Sequence, residues 1–273
     1  MSSSKSLDQT TILITGANRG LGRAIAQAYF SRPDHTVIAL VRSPDHETCQ
    51  SLLSRATTIG INSSVILIPY DASSTTAANS AIEHLTKHHP EVERLDTVIA
   101  NAGFAGYFGP SLDVGADTYL EHFTINTLAP FLLFKAALPL LESLSSGNKG
   151  KFIAISSASG STSLHAQMTS QMRIGADGKP RAGSLPYSMS KCALNHMMLK
   201  LSQEFPEIEM GLFTPGPTRT GLGGPGFEWE RVPGVKNLDE VVGGLVEQFD
   251  KMGEEKDAQG LVLKDGKGNV FAW

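Results

Sequence analysis

The stretch TILITGANRGLGRAIAQAYF, residues 11–30, changes character at its first glycine. Before Gly16 the run is short, apolar and β-branched, as in a strand buried on both faces of a sheet. After Gly20, the residues Leu21, Ala24, Ile25, Ala28 and Tyr29 fall at i, i+3, i+4, i+7 and i+8, one apolar helical face. Gly16, Gly20 and Gly22 therefore occupy a strand-to-helix turn. Glycines there let the chain turn tightly and let backbone N–H groups approach a diphosphate, and the helix N-terminus adds partial positive charge. The spacing is GxxxGxG, not the commoner GxGxxG. A glycine triplet alone is ordinary in turns. Its place between a strand and an amphipathic helix, at the first crossover, marks a dinucleotide-binding loop that also contains Asn18, Arg19 and Leu21.

Similar apolar runs recur outward from this stretch. TVIALV at 36–41, VILIPY at 65–70, LDTVIAN at 95–101, KFIAISS at 151–157 and EMGLFTP at 209–215 alternate with helix-like segments. GLVLKDG at 260–266 offers a late strand. The alternation predicts an α/β fold: one Rossmann-type, doubly wound, mainly parallel sheet of about seven strands, with helices on both faces and right-handed crossovers. It implies a single domain over 11–273 after a flexible tail, 1–10. Two stretches break the regularity. Residues 158–186 are rich in Ser, Gly and polar side chains, and residues 221–235 combine Gly and Pro with Phe227 and Trp229. Loops of that length in a compact domain tend to be functional, so the first reads as a loop insertion and the second as a substrate lid.

The 273 residues are 41% hydrophobic and carry a net charge of −4. With no basic stripe, phosphate neutralisation on a nucleic acid is not expected. No apolar run reaches about 18–20 residues, so no membrane span is expected, and MSSSKSLDQT does not read as a signal peptide. Cys49 and Cys192 are far apart and form no CxxC, which points to a reducing, cytoplasmic setting.

An NAD site usually carries an acid at the end of the second strand, to bond the ribose 2′-hydroxyl. Here Arg42 stands at that place, Arg19 lies in the glycine loop, and Asp45 falls three residues past Arg42. A guanidinium fork suits a 2′-phosphate that a carboxylate would repel, so NADP(H) is favoured over NAD(H). Asp71, after the third strand, could bond the adenine amino group or cap a helix.

Further motifs follow in order: TGANRGLG at 15–22, ANAG at 100–103, Asn126 in FTINTLAP, Ser157 in ISSASG, Tyr187-x-x-x-Lys191, and PGPTRT at 215–220. By these residues the chain resembles the short-chain dehydrogenase/reductase family in its classical subgroup. The one departure is ANAG in place of the commoner NNAG. More loosely, SRPDHTVIALVR and GLVLKDGKGNVFAW are similar to fungal polyketide ketoreductases. The resemblance implies a catalytic set of Asn126, Ser157, Tyr187 and Lys191. Tyr187 would act as general acid, Ser157 would hold the carbonyl oxygen, and Asn126 would fix a water leading to Lys191. A free tyrosine is a poor base at pH 7, and the nearby ammonium and an oxidised nicotinamide would favour phenolate. Ser156 and Ser159 compete with Ser157, but the family's Ser-x-x-Gly pattern fits Ser157. Asn101, Ala102 and Gly103 would floor the adenosine. Pro215, Gly216, Thr218 and Thr220 would line the carboxamide and a phosphate, and Lys191 would also bond the nicotinamide ribose.

The expected activity is an NADPH-dependent reductase of a ketone or aldehyde, reversibly an alcohol dehydrogenase. Within it stand a secondary-metabolite ketoreductase and a general carbonyl reductase of small or xenobiotic compounds. The alternative from another class is a non-catalytic NADP(H)-binding sensor. Phe104, Tyr107, Phe108, Phe227 and Trp229 suggest an apolar or aromatic substrate. The Ser157–Tyr187 interval of 30 residues exceeds the family's usual dozen or so. The extra loop either covers substrate or blocks the surface through which family members form homodimers and homotetramers. His84 and His88 share a helix face without a nearby third ligand, so no metal is expected. Cys192, Met189, Met197 and Met198 read as packing or interface residues.

Overall fold

The computed structural model describes residues 9–54, 59–144, 149–164, 173–174, 180–181, 185–223, 234–253 and 260–273. Strand β1 (Thr10–Thr15) feeds helix α1 (Gly20–Phe30), and β2 (His35–Val41) feeds α2 (Glu47–Ser54). Then come β3 (Ser64–Pro69), α3 (Ala77–His88) and β4 (Thr97–Ala100). Helices α4 (Ala116–Phe123) and α5 (Ala129–Glu142) are joined by one π-helical turn, Thr124–Leu128. After β5 (Lys151–Ile155) a two-residue hairpin, β6 (Arg173–Ile174) and β7 (Pro180–Arg181), precedes α6 (Leu185–Glu204). The chain closes with β8 (Glu209–Thr214), α7 (Leu238–Asp250), β9 (Leu263–Asp265) and β10 (Val270–Phe271).

The main sheet runs β10-β9-β8-β5-β4-β1-β2-β3 and is parallel except for β10. Chain order reverses beside β1, whose neighbours are β2 and β4. In such sheets ligands bind outside the carboxyl ends of the strands at this switch point. The apolar runs are nearly continuous because both faces are covered. Leu13, Ile38 and Leu40 pack with Leu85, Phe134 and Met198 on one face. Ile12, Ile14 and Val37 pack with Ile25, Phe30, Leu245 and Phe249 on the other. Each fully buried side chain of this size contributes about 1.5–3 kcal/mol.

The sheet has eight strands rather than seven, because a turn around Asp265 brings Val270 and Phe271 back against Leu263 and Lys264. Asp265 accepts hydrogen bonds from the amides of Lys267 and Asn269 and from the Asn269 side chain. The fifth strand stops at Ile155, so Ser156 and Ser157 lie just beyond it. The 158–186 insertion is not all loop, since it contains the β6–β7 hairpin. Within 221–235 a 3-10 turn spans Gly221–Gly223, while Phe227 and Trp229 lie outside the described residues. The continuous helix Ala116–Glu142 is long and apolar enough to cross a membrane by length and composition alone, which the shorter apolar runs of the sequence did not suggest. Leu133, Phe134, Ala137 and Leu141 on it are buried in the core.

Candidate active site

A cleft of about 710 Å³ runs along the carboxyl ends of the strands. It begins at the glycine turn. Gly16 and Gly20 have φ of +67° and +53°, a left-handed backbone that favours glycine. Gly22 is required for space: a methyl there would stand 2.3 Å from Asn101 Nδ2 and 2.5 Å from the Gly16 carbonyl oxygen. The turn is braced from the neighbouring strand. Asn101 Nδ2 donates to Thr15 O at 2.9 Å, and the amides of Asn101 and Ala102 donate to Thr15 Oγ1 at 3.0 and 2.8 Å. On its other side Asn18 Nδ2 donates to Thr48 Oγ1 at 3.1 Å. Arg23 fastens the same first turn of α2 through Thr48 O and Ser51.

Arg19 and Arg42 are both exposed on the cleft. Arg42 directly follows β2, and Asp45 is not among the lining residues. Asp71 does not cap α3. Its carboxylate accepts from the Ser73 amide at 3.0 Å and the Ser73 hydroxyl at 2.8 Å, closing a local turn on the cleft wall. The Ser73 amide holds its pKa below the usual carboxylate value despite burial, with the Ser73 hydroxyl and the Arg42 charge adding.

At the opposite end α6 places Tyr187 in its first turn and Lys191 one turn on. Burial pushes the Tyr187 phenol up, and its hydrogen bond with Ser157 pulls it partly back. Burial lowers Lys191 to about 8. Its Nζ donates to Ile155 O at 2.8 Å and lies 5.8 Å from the Tyr187 ring centroid. The sequence suggested that the nearby ammonium, with an oxidised nicotinamide, would favour phenolate. Among the protein's own groups burial is the larger influence, and it keeps Tyr187 neutral, the form able to donate a proton. Ser157 has extended backbone and its Oγ accepts from the Ser159 amide at 3.1 Å. Ser156 Oγ instead donates to Asn195 Oδ1 at 2.5 Å, inside the protein. Both serines border the cleft, and their hydrogen-bond partners separate them.

Asn126 sits in the π-helical turn, fully buried, and does not line the cleft. Its Nδ2 donates to Phe104 O at 2.8 Å and to Ser190 Oγ at 2.9 Å, while Oδ1 accepts from the Phe104 amide at 2.8 Å. Thr127 Oγ1 donates to Ser190 O, and Ser190 Oγ to Tyr187 O. The π turn thus ties α6 to the segment after Gly103. Past β8, Gly216 has φ +66°, and Thr218 Oγ1 donates to Pro215 O and Gly216 O. Of the catalytic and cofactor-binding residues expected from the sequence, all but Asn126 border the cleft: Gly16, Asn18, Arg19, Gly20, Leu21, Gly22, Arg42, Asp71, Asn101, Ala102, Gly103, Ser157, Tyr187, Lys191, Pro215, Gly216, Thr218 and Thr220.

Sequence reasoning missed Ser43, His46 and Thr48, which line the cleft beside Arg42. Their polar cluster directly after the Arg42 position was the available signal. It also missed Ile125, Ile155 and Leu222. Phe104 lines the cleft, whereas Tyr107 and Phe108 do not. The His84 and His88 rings lie 4.5 Å apart, and no group of three or more His, Cys, Asp or Glu side chains suited to a metal occurs among the described residues. Met198 is core, Met197 packs against it, and Met189 is exposed.

The pattern of the short chain dehydrogenase family matches residues 10–169. A short chain dehydrogenase of Penicillium aethiopicum is 36% identical over 218 residues, covering 80% of this chain and 79% of that protein. A norsolorinic acid ketoreductase of Dothistroma septosporum is 33% identical over 260 residues, covering 94% and 91%. Among solved structures, an NADPH-bound carbonyl reductase from chicken fatty liver matches with a TM-score of 0.74 at 26% identity, covering 98% of this chain and 100% of that one.

Proposed function

We propose that this chain, which belongs to the short-chain dehydrogenase family, is an NADPH-dependent reductase whose substrate is an apolar, aromatic ketone of the polyketide type. The observation that carries the reading is one cleft with two guanidinium groups at one end and the Ser157–Tyr187–Lys191 group at the other. The residues present fit the cofactor. Two left-handed glycines, a Gly22 without a side chain that lets the turn close against Asn101, and the start of α1 suit a diphosphate, and Arg19 and Arg42 suit a 2′-phosphate. NADPH supplies the hydride when bound.

The chain's own side chains would do the rest. Tyr187 would donate its phenolic proton to the carbonyl oxygen as general acid, and Ser157 would hydrogen-bond the same oxygen. Lys191 would bond the nicotinamide ribose and return a proton to Tyr187. Both amide protons of Asn126 are already used on Phe104 and Ser190, so its part in a water relay would fall to its main chain. Asn101, Ala102 and Gly103 would floor the adenosine, with Asp71 beside them.

The 33% identity with a norsolorinic acid ketoreductase, spanning most of both chains, supports the polyketide reading, as does half-buried Phe104 on the cleft. A second reading, a general carbonyl reductase of small compounds, is favoured by the match to the chicken carbonyl reductase over its whole length. The expected lid over 221–235 falls mostly on 224–233, outside the described residues; Gly221 and Leu222 at its start border the cleft. Two free cysteines support a cytoplasmic setting. Exposed Leu120, Phe123 and Phe131 along α4–α5, with Met189 on α6, support self-association as a homodimer or homotetramer.

NADPH oxidation across anthraquinone-type ketones, steroids and small aldehydes tests the reading. Tyr187→Phe should abolish turnover while NADPH still binds. Full turnover in that variant would sink it, and activity confined to small aldehydes would favour the second reading.

A further inference from the structure

We propose that His122 is a positioning residue that sets which carbonyl compounds fit, by holding the Phe104 wall of the cleft. The inference rests on the reductase reading. His122 lies on α4 with no exposed surface. An imidazole there costs free energy unless both nitrogens are bonded, and an apolar side chain would fill the space without that demand. Both nitrogens are bonded. Nδ1 lies 2.6 Å from Thr118 O, and Nε2 accepts from the Gly106 amide at 3.1 Å. A carbonyl can only accept and an amide N–H only donates, so Nδ1 carries the proton and Nε2 is the acceptor.

The second bond acts on the cleft. Residues 101–108 have no helical or strand structure of their own. They are held by the helix beneath: Asn126 takes both backbone groups of Phe104, and His122, one turn earlier, takes the amide of Gly106. The rings of Phe104 and His122 lie 4.7 Å apart, centroid to centroid. The Phe104 ring also covers Gly106 so closely that a methyl there would stand 2.1 Å from a ring carbon. The Phe104 ring therefore packs against both members of the His122–Gly106 hydrogen-bonded pair, while the residue lines the cleft. It is also joined to the proton-donating end, because Asn126 and Ser190 link Phe104 O to Tyr187 O. A shift of this wall changes the space beside Tyr187 without touching the phosphate end.

His122→Leu removes the hydrogen bonds, and His122→Gln restores an acceptor near the position of Nε2. Compared with wild type, the leucine variant is expected to lower kcat/KM for an anthraquinone-type ketone at least tenfold relative to a small aldehyde. The change should lie in KM, with the Kd for NADPH within about twofold, and the glutamine variant should recover most of it. Amide hydrogen exchange at Gly106 should rise in the leucine variant and fall back with glutamine. Should the leucine variant not fold, Gly106→Ala displaces the same ring directly and should shift selectivity likewise. An unchanged selectivity ratio in both His122→Leu and Gly106→Ala, or an equal loss on both substrates, overturns the proposal. If wild type reduces no carbonyl at all, the reductase reading fails. The positioning role is then decided by exchange at Gly106, and unchanged protection in the leucine variant refutes it.

Discussion

Replacing Lys191 with methionine should make the fold more stable at neutral pH while stopping turnover. Lys191 is 4% exposed, and burial lowers its pKa from 10.5 to about 8. That fall corresponds to roughly 3 kcal/mol against the charged form. Below pH 8 both folded and unfolded chains hold the proton, and the penalty is fully present. Between about 8 and 10.5 the unfolded chain keeps a proton that the folded chain has released, so stability rises with pH. Above 10.5 the penalty is gone. Methionine keeps the aliphatic stem but leaves Ile155 O without its 2.8 Å partner, a loss of about 1–2 kcal/mol. At pH 7 the variant should therefore be more stable by about 1–2 kcal/mol, a rise in Tm of roughly 2–5 °C for a chain of this size. At pH 10 the advantage should vanish or reverse. Paired urea and thermal unfolding at pH 7, 8.5 and 10, on protein without added nucleotide, measures the difference. A difference that stays flat across this range, or a variant less stable at pH 7, would refute the reasoning.

Gly22→Ala should weaken NADPH binding by at least 100-fold and lower Tm, because its methyl meets the Gly16 carbonyl and Asn101; fluorescence titration and calorimetry read the two effects. Arg42→Ala should raise KM for NADPH by roughly 10–100-fold and leave KM for NADH nearly unchanged, the loss of one charge-assisted contact; initial rates with both cofactors check it. Asn126→Ala removes one buried and two part-buried hydrogen bonds and should lower stability by about 3 kcal/mol in urea unfolding, with a larger KM for bulky ketones because Phe104 loses both backbone partners.

The phosphate end was legible because its recognition is done by backbone. Left-handed turns at Gly16 and Gly20 and a missing side chain at Gly22 leave a mark in eight consecutive residues. The strands were legible for a related reason: a parallel strand covered on both faces must be apolar along its whole length. Strand ends were less so, since Ser156 and Ser157 look alike in a string and differ in their partners, Asn195 for one and the Ser159 amide for the other. The eighth strand was hidden because its pairing depends on a turn held by Asp265, and Val270–Phe271 alone is too short to carry a period.

Asn126 shows a different limit. Its type and place were evident, but its side chain turned out to be occupied by Phe104 and Ser190 rather than aimed into the cleft. Contacts of that kind join residues 22 and 64 positions apart, and nothing local in either segment specifies them. The same holds for His122 and Gly106. Phosphate is a constant ligand that a constant backbone motif can grip. A substrate wall is set instead by side chains of distant segments meeting over one helix, so its specificity is written in pairings such as His122–Gly106. Changing either partner should therefore alter substrate choice while the phosphate end, built from its own continuous stretch, keeps its affinity for NADPH.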